Sequence, residues 1–248
     1  MPDDTDQLYC DPQIVQFYDL DNGWRDDFEY CIGLAKDAQS VLDLGCGTGQ
    51  LAAALAGDRL VVGVDPASAM LNAGKKRPGG GKVKWVEGDA RSLRLEQTFD
   101  LVILTGHAFQ VFLTDEDRRQ ALNTVARHLT PGGRFIFDSR NPLVEEWREW
   151  TPEHSLHFLD HPELGKVKSW NDIAYDFETH IATYETHYES LADGKVWSAS
   201  SRIAFPAKAD IERMLSASGL TVDKWLGDWQ GGACEATSPE MIPIGRLS

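Results

Sequence analysis

A chain of 248 residues, 42% hydrophobic, can bury about three quarters of its unfolded surface as one α/β domain, and its four scattered cysteines, Cys10, Cys31, Cys46 and Cys234, form no CxxC pair that would call for a disulfide framework or a metal site. The formal net charge of −15 argues against a nucleic-acid partner, because such binding neutralises phosphates with clustered lysine and arginine. The acidic start MPDDTDQ lacks the basic head and apolar centre of a signal peptide, and no apolar stretch is long enough to span a bilayer, so a cytoplasmic protein with reduced thiols and no membrane partner is expected.

Asp11 to Ala38 carries two apolar stripes at helical spacing, Ile14, Val15 and Phe17 to Tyr18, then Trp24, Phe28, Ile32 and Ala35, which predicts a helical cap over residues 1–38. Residues 41 to 57 read VLDLGCGTGQLAAALAG. Val41, Leu42 and Leu44 give a buried strand, and the Leu/Ala tract from Leu51 a helix packed on it. Between them Gly45, Gly47 and Gly49 remove three Cβ atoms, so the backbone can take positive φ and approach a polar ligand held by the free N–H groups of the helix. A second strand, Leu60 to Val64, ends at Asp65, where a carboxylate can accept both hydroxyls of a ribose. Asp65-Pro66 also reads as the N-cap of the helix PASAMLNAGKK, a compatible role. A third strand, Val83 to Val86, ends in Glu87-Gly88-Asp89-Ala90, a second carboxylate at the same edge. FDLVILTG is the fourth strand. A capping box at Thr114 to Asp117 opens the next helix, striped by Ala121, Leu122, Val125 and Leu129, and HLTPGGRFIFD leads into a fifth strand, Arg134 to Phe137.

This ordered set, from about Gln39 to Asp138, resembles the class I S-adenosylmethionine-dependent methyltransferases. LDLGCGTG is similar to the family's glycine motif, GVDPASAML to its ribose strand, EGDA to its adenine-contacting turn, and LTPGGRF to the turn before its fifth strand. A nicotinamide fold would space the third glycine one position further on; here the spacing is GxGxG. The resemblance implies a Rossmann-like α/β fold, with a seven-stranded, mostly parallel sheet and helices on both faces. It implies S-adenosylmethionine as cofactor and S-adenosylhomocysteine as product. Strand four ends Leu104-Thr105-Gly106-His107, not in the NPPY-type tetrapeptide of members that methylate base amines or amide nitrogens, so a small-molecule methyl acceptor is favoured.

Beyond Asp138 the pattern changes. Residues 139–169, rich in Pro, Trp, Glu and His, read as a loop or short helices. Ile173 to Tyr188 and Lys195 to Phe205 alternate as strands, with Trp197, Ala199, Ile203 and Phe205 on one face and Ala192-Asp193-Gly194-Lys195 as the hairpin turn. Lys208 to Ser218 is a helix stopped by Gly219, and Val222 to Trp225 and Met241 to Arg246 are the last strands. The expected division is a helical cap (1–38), a cofactor-binding core (39–138), a substrate lid of antiparallel strands (139–207), and a return to the core (208–248). Such a lid resembles that of the small-molecule branch, which includes sugar-amine N-methyltransferases and relatives of glycine N-methyltransferase.

In this reading Gly45, Cys46, Gly47 and Gly49 cradle the methionine part, with Asp43 supporting the turn. Asp65, Pro66 and Met70 lie at the ribose, and Asp89 and Ala90 at the adenine edge. Thr105, Gly106 and His107 line the passage to the acceptor. Tyr18 or Tyr9 reaches the methionine end, with Arg25 as a carboxylate partner. His107 is either a general base or a pocket-lining group. Phe109, Arg140, Trp147, Trp170 and Tyr184 are candidates for the acceptor pocket, as are Trp150, Tyr175 and Trp229, although a lid also needs aromatics for its own core. His154, His157 and His161 lack a completing cluster, and no metal is expected. The expected product is a monomer or homodimer that methylates nitrogen or oxygen. The alternatives are a regulatory protein that keeps the cofactor site without the chemistry, and a transferase of another group from the same cofactor.

Overall fold

The computed structural model describes residues 6–248. Two helices come first, α1 (Gln7–Cys10) and α2 (Pro12–Asn22), each opened by an aspartate whose side chain accepts a main-chain N–H, Asp6 from Leu8 and Asp11 from Gln13. Then follow α3 (Asp26–Leu34), β1 (Ser40–Leu44), α4 (Gln50–Leu55), β2 (Leu60–Asp65), α5 (Ser68–Lys76), β3 (Lys84–Glu87), β4 (Phe99–Leu104), α6 (Asp115–His128) and β5 (Leu129–Phe137). A two-residue β6 (Ser139–Arg140) and α7 (Pro152–Ser155) lead to four antiparallel strands, β7 (His157–His161), β8 (Gly165–Asp176), β9 (Ile181–Ser190) and β10 (Val196–Ala204). Last come α8 (Lys208–Ala217), β11 (Leu220–Leu226) and β12 (Glu240–Leu247).

The main sheet runs β3-β2-β1-β4-β5-β12-β11, with β6 attached to β12. β1 to β5 are parallel, and β12 enters antiparallel between β5 and β11. This is the Rossmann-like sheet that the motif order implies. Successive residues face opposite layers. Leu42, Leu44, Val102, Leu104, Phe135 and Phe137 pack against Leu122, Val125, Ile211 and Leu215 of α6 and α8. On the other face Val41, Val61, Leu101, Ile103 and Ile136 meet Phe28, Cys31, Leu51 and Leu55 of α3 and α4. Each such side chain contributes about 1.5–3 kcal/mol by leaving water. Alternation also puts Asp43 on the face of Val41, beneath α3.

The second sheet, β10-β9-β8-β7, differs from the sequence reading in two places. Residues 139–169 hold not only short helices but β7 and the start of β8, whose buried positions are Leu159, His161, Val167 and Ser169. Two of those four are polar, so the alternation is invisible to hydrophobicity alone. The run from Ile173 to Tyr188 is not one strand but a hairpin turning at residues 177–180. No glycine or proline marks it. The turn is made by Asp176, whose Oδ1 accepts from Glu178 N and Thr179 N, and by His180 in a left-handed conformation at φ 55°.

α2 straps the two sheets together. Phe17 stacks on Tyr188 with ring centroids 4.3 Å apart and meets Trp197 edge-on at 5.3 Å, while Val15 packs on Met70 of α5. The Tyr188 hydroxyl donates to Asp21 at 2.7 Å, and the His157 ring meets the same carboxylate at 2.6 Å. Trp24, read as part of an apolar stripe, is instead half exposed ahead of α3, with its indole N–H donating to Glu29. No helix among the described residues is long and apolar enough to cross a membrane.

Candidate active site

A cavity of about 1570 Å³ lies at the carboxyl ends of β1, β2 and β4, roofed by α1 and α2 and by strands β9 and β10. A single drug-sized ligand fills about 300–1,000 Å³, so this one has room for two. Its floor is the glycine loop. Gly45 N and Cys46 N both donate to Val64 O, at 2.8 and 2.9 Å, which ties the loop to the end of β2. Gly45, Gly47 and Gly49 take φ of 79°, 52° and 70°, a region that side chains disfavour.

Asp65 clamps this loop. Its Oδ2 accepts from Gly47 N and its Oδ1 from Ala67 N, both at 2.9 Å. The cap of α5 is therefore Ala67, and Asp65 stands in the turn before it rather than at the expected N-cap position. Each carboxylate oxygen keeps a lone pair for a hydroxyl. Burial pushes the Asp65 carboxyl up, while the two N–H donors pull it back. Asp43, buried beside Asp65 and Asp27, is pushed up to about 7.

Tyr18, Cys46, Pro66, Met70, Asp89 and Ala90 also line the cavity. A Cβ at Gly47 would stand 3.7 Å from the Tyr18 hydroxyl, so this glycine leaves the gap between loop and tyrosine open. Burial drives the Cys46 thiol up, leaving it neutral, and carries Tyr18 to about 12. Asp89 is pushed up by burial, but the Arg91 guanidinium, whose Nε reaches Oδ1 and whose Nη2 reaches Oδ2, outweighs this and holds it below the ordinary carboxylate range. Gly49 does not reach the cavity. The missing Cβ there makes room for the Trp85 ring from β3, so this glycine serves packing.

The residues present fit the free amino-acid end of a nucleoside that carries methionine through its sulfur. Arg25 lines the cavity with one nitrogen on Asp27 at 3.1 Å, and its Nε is buried without a hydrogen-bond partner among the described residues. A Cβ at Gly106 would stand 2.8 Å from the same guanidinium, so only glycine lets it lie there.

Past β4, Thr105, Gly106 and His107 line the cavity as expected. His107 is left-handed at φ 61°. Its main-chain N donates to Asp138 Oδ1 at 2.9 Å, and its ring Nε2 lies 2.8 Å from Glu240 Oε1 and 3.7 Å from Asp138 Oδ2. Burial moves all three towards their neutral forms, His107 down to about 4, Asp138 up to about 6 and Glu240 up to about 7. Their donor atoms lie within 4.8 Å of one another. At the His107–Glu240 contact that closeness is a hydrogen bond, with Arg25 and Arg140 acting on the cluster electrostatically. Neither Asp138 nor Glu240 was singled out from the sequence, since one follows β5 and the other opens β12 with no motif around it.

Of the residues expected at the acceptor, the structure brings Arg140, Tyr184 and Trp150 to the cavity. Tyr184 shares a 3.0 Å hydrogen bond with Tyr9, and Arg140 lies 4.9 Å over the Trp150 ring and bonds Gln110 and Glu146. Phe109, Trp147 and Trp170 are not brought there. Phe109 is fully buried against Phe137, Trp147 stacks on Tyr175 at 4.0 Å within the lid's own core, and Trp170 stacks on His187 with Lys168 over its ring. Tyr175 and Trp229 likewise lie away from the cavity, in packing contacts with Trp147 and Tyr30.

A family profile described as "Methyltransferase domain" matches residues 41–133. A cypemycin N-terminal methyltransferase from Streptomyces sp. is 41% identical over 215 residues, covering 84% of this chain and 83% of that protein. A ubiquinone/menaquinone biosynthesis C-methyltransferase from Vibrio campbellii is 30% identical over 205 residues, covering 79% and 69%. Among solved structures, the CcbJ methyltransferase from Streptomyces caelestis superposes with a TM-score of 0.76 at 20% identity over 94% of this chain and 97% of that one. The sugar N-methyltransferase KedS8 from Streptoalloteichus sp. also gives 0.76, at 18% identity over 99% and 96%.

Proposed function

Since the chain belongs to the class I S-adenosylmethionine-dependent methyltransferases, with S-adenosylmethionine as its cofactor, we propose that it methylates an amine nitrogen on a small acceptor, free or at the end of a short peptide. When bound, the cofactor supplies a methyl group on a sulfonium, already activated towards a lone pair. What the chain adds is placement. Holding the partners in line and out of water accounts for about 7–11 kcal/mol in well-aligned reactions.

In this reading Gly45 and Gly47 let the loop backbone approach the methionine part, Arg25 takes its carboxylate, and Asp43 supports the turn. Asp65 accepts the ribose hydroxyls, and Asp89 and Ala90 lie at the adenine edge. The observation that carries the choice of nitrogen is the acidic cluster behind His107, which suits a group that arrives as a cation and must lose a proton. A carbanion or phenol acceptor would be disfavoured beside Asp138 and Glu240. The N-terminal methyltransferase relative supports the same choice. The room above the cofactor floor, bordered by Tyr9, Tyr184, Trp150 and Arg140, is where the acceptor is placed.

The test is a panel of amino sugars, amino acids, short peptides, phenols and quinones incubated with isotopically labelled methyl donor and read by mass spectrometry. Label on amines alone supports the reading. Label on oxygen or carbon acceptors alone rejects it.

A further inference from the structure

We propose that the acceptor ammonium's proton leaves through His107 to Glu240, with Asp138 fixing His107 in place; this rests on the amine reading above. His107 is the member of this cluster that lines the cavity together with Arg140, whereas Asp138 and Glu240 stand behind it and reach the acceptor only through its ring. The ring has two ends. Nε2 is engaged by Glu240 Oε1 at 2.8 Å, and Nδ1 has no hydrogen-bond partner among the described residues. That leaves Nδ1 to receive a proton while Nε2 releases one.

The backbone supports the same assignment. A non-glycine residue at φ 61° is strained and persists only where its surroundings hold it. Here Asp138, 1% exposed, takes the main-chain N–H of His107 at 2.9 Å, a charge-assisted bond that offsets the strain. Glu240 adds a second sign of a proton site, because its Oε2 is buried with no hydrogen-bond partner among the described residues. A buried carboxylate oxygen left bare is costly, and a proton shared along the His107–Glu240 contact relieves it.

The charged groups facing the pair come from four places: Arg25 and Asp27 at the start of α3, Asp138 after β5, Arg140 in β6, and Glu146 beyond it. Burial outweighs these neighbours and carries Glu240 up to about 7, so its carboxyl can gain and lose a proton at working pH. The step balances as follows. An N–H bond of the ammonium breaks and Nδ1–H forms, with the electron pair staying on the acceptor nitrogen. At the same time Nε2–H breaks and Oε1–H forms, so the imidazole ends neutral and the proton rests on Glu240. The acceptor nitrogen then has the free lone pair that attack requires.

Nitrogen-15 histidine NMR of the acceptor-free protein reads the relay directly, with His107→Asn identifying the signal. In the wild type the His107 ring shifts should step near pH 7 as Glu240 titrates, and in Glu240→Gln that step should vanish. A wild-type ring without the step overturns the proposal, even if the variant fails to fold, and so does an identical step in Glu240→Gln. With an amine acceptor, Glu240→Gln should lower kcat by about 10- to 100-fold at pH 7, and the loss should shrink at alkaline pH, where the amine enters already neutral. A pH-independent loss would mean a structural role and defeat the relay. Chelator should leave the wild type active; inactivation reversed by a divalent cation would assign the cluster to a metal instead. Should no amine accept a methyl group while the NMR step disappears in Glu240→Gln, the His107–Glu240 proton site stands, and the amine reading falls together with the ammonium as its proton source.

Discussion

Asp65 holds the glycine loop by the main-chain N–H of Gly47, and in the proposed reading its remaining lone pairs serve the ribose, so its loss would be felt twice. Asp65→Ala is expected to weaken S-adenosylmethionine binding by about 1.5–3 kcal/mol in calorimetry and to speed amide exchange at Gly47 and Ala67. An unchanged dissociation constant in the folded variant would leave Asp65 as a loop anchor only. His107→Asn is expected to lower turnover on an amine by about 10- to 100-fold with cofactor affinity unchanged, against about 10²–10⁴ if a hydroxyl must be deprotonated. Steady-state kinetics across pH decides between them. At this scale the glycine turn at the end of β1 was legible because its residues are adjacent in sequence and demanded by backbone geometry. Glu240 was not, since it lies 133 positions from His107 and only the sheet register brings them together.

Among elements, the lid shows how composition can mislead. Trp147, read as a pocket wall, is 5% exposed and sandwiched by Tyr175 and Phe205, so it is the small core that the lid needs. Trp147→Ala should destabilise the protein by about 3–5 kcal/mol, read by denaturant unfolding, with hydrogen exchange rising in β8 to β10. Cofactor affinity should change less than twofold in the folded fraction, and a large loss of affinity would place Trp147 at the cavity after all. The strands of the main sheet were legible from apolar runs bounded by turns. Those of the lid were partly hidden, because Asp176 and His180 build a turn without glycine or proline and because β7 and β8 bury His161 and Ser169.

Among the described residues burial raises several carboxyls, furthest at Asp43 and Glu240, to about 7, and Asp138, to about 6, on a chain of net charge −15. Unfolded, these groups ionise near their ordinary values of 3.8 and 4.5. Between those values and pH 7 the folded state binds more protons, so their contribution is full below about pH 4 and is lost as pH rises to 7. His107, lowered to about 4, and His128, also lowered by burial, act the other way and are outnumbered by the raised acids. The melting temperature of the ligand-free protein is therefore expected to fall from about pH 5 to about pH 8, more shallowly in Asp43→Asn. A melting temperature that climbs over that range would contradict the burial of these acids.

The position of β12 has a consequence for how the chain comes to be folded. Its slot lies between β5 and β11, both made earlier by the ribosome, so a nascent chain that has emerged only to residue 239 has every cofactor-facing loop but a sheet split by a strand-wide gap. Glu240, the first residue of that strand, would reach His107 only as the gap closes. Closing it joins segments more than a hundred residues apart, the kind of long-range pairing that slows folding. A chain arrested before residue 240 would carry the glycine loop, Asp65 and His107 but lack Glu240, the far end of the proposed proton path.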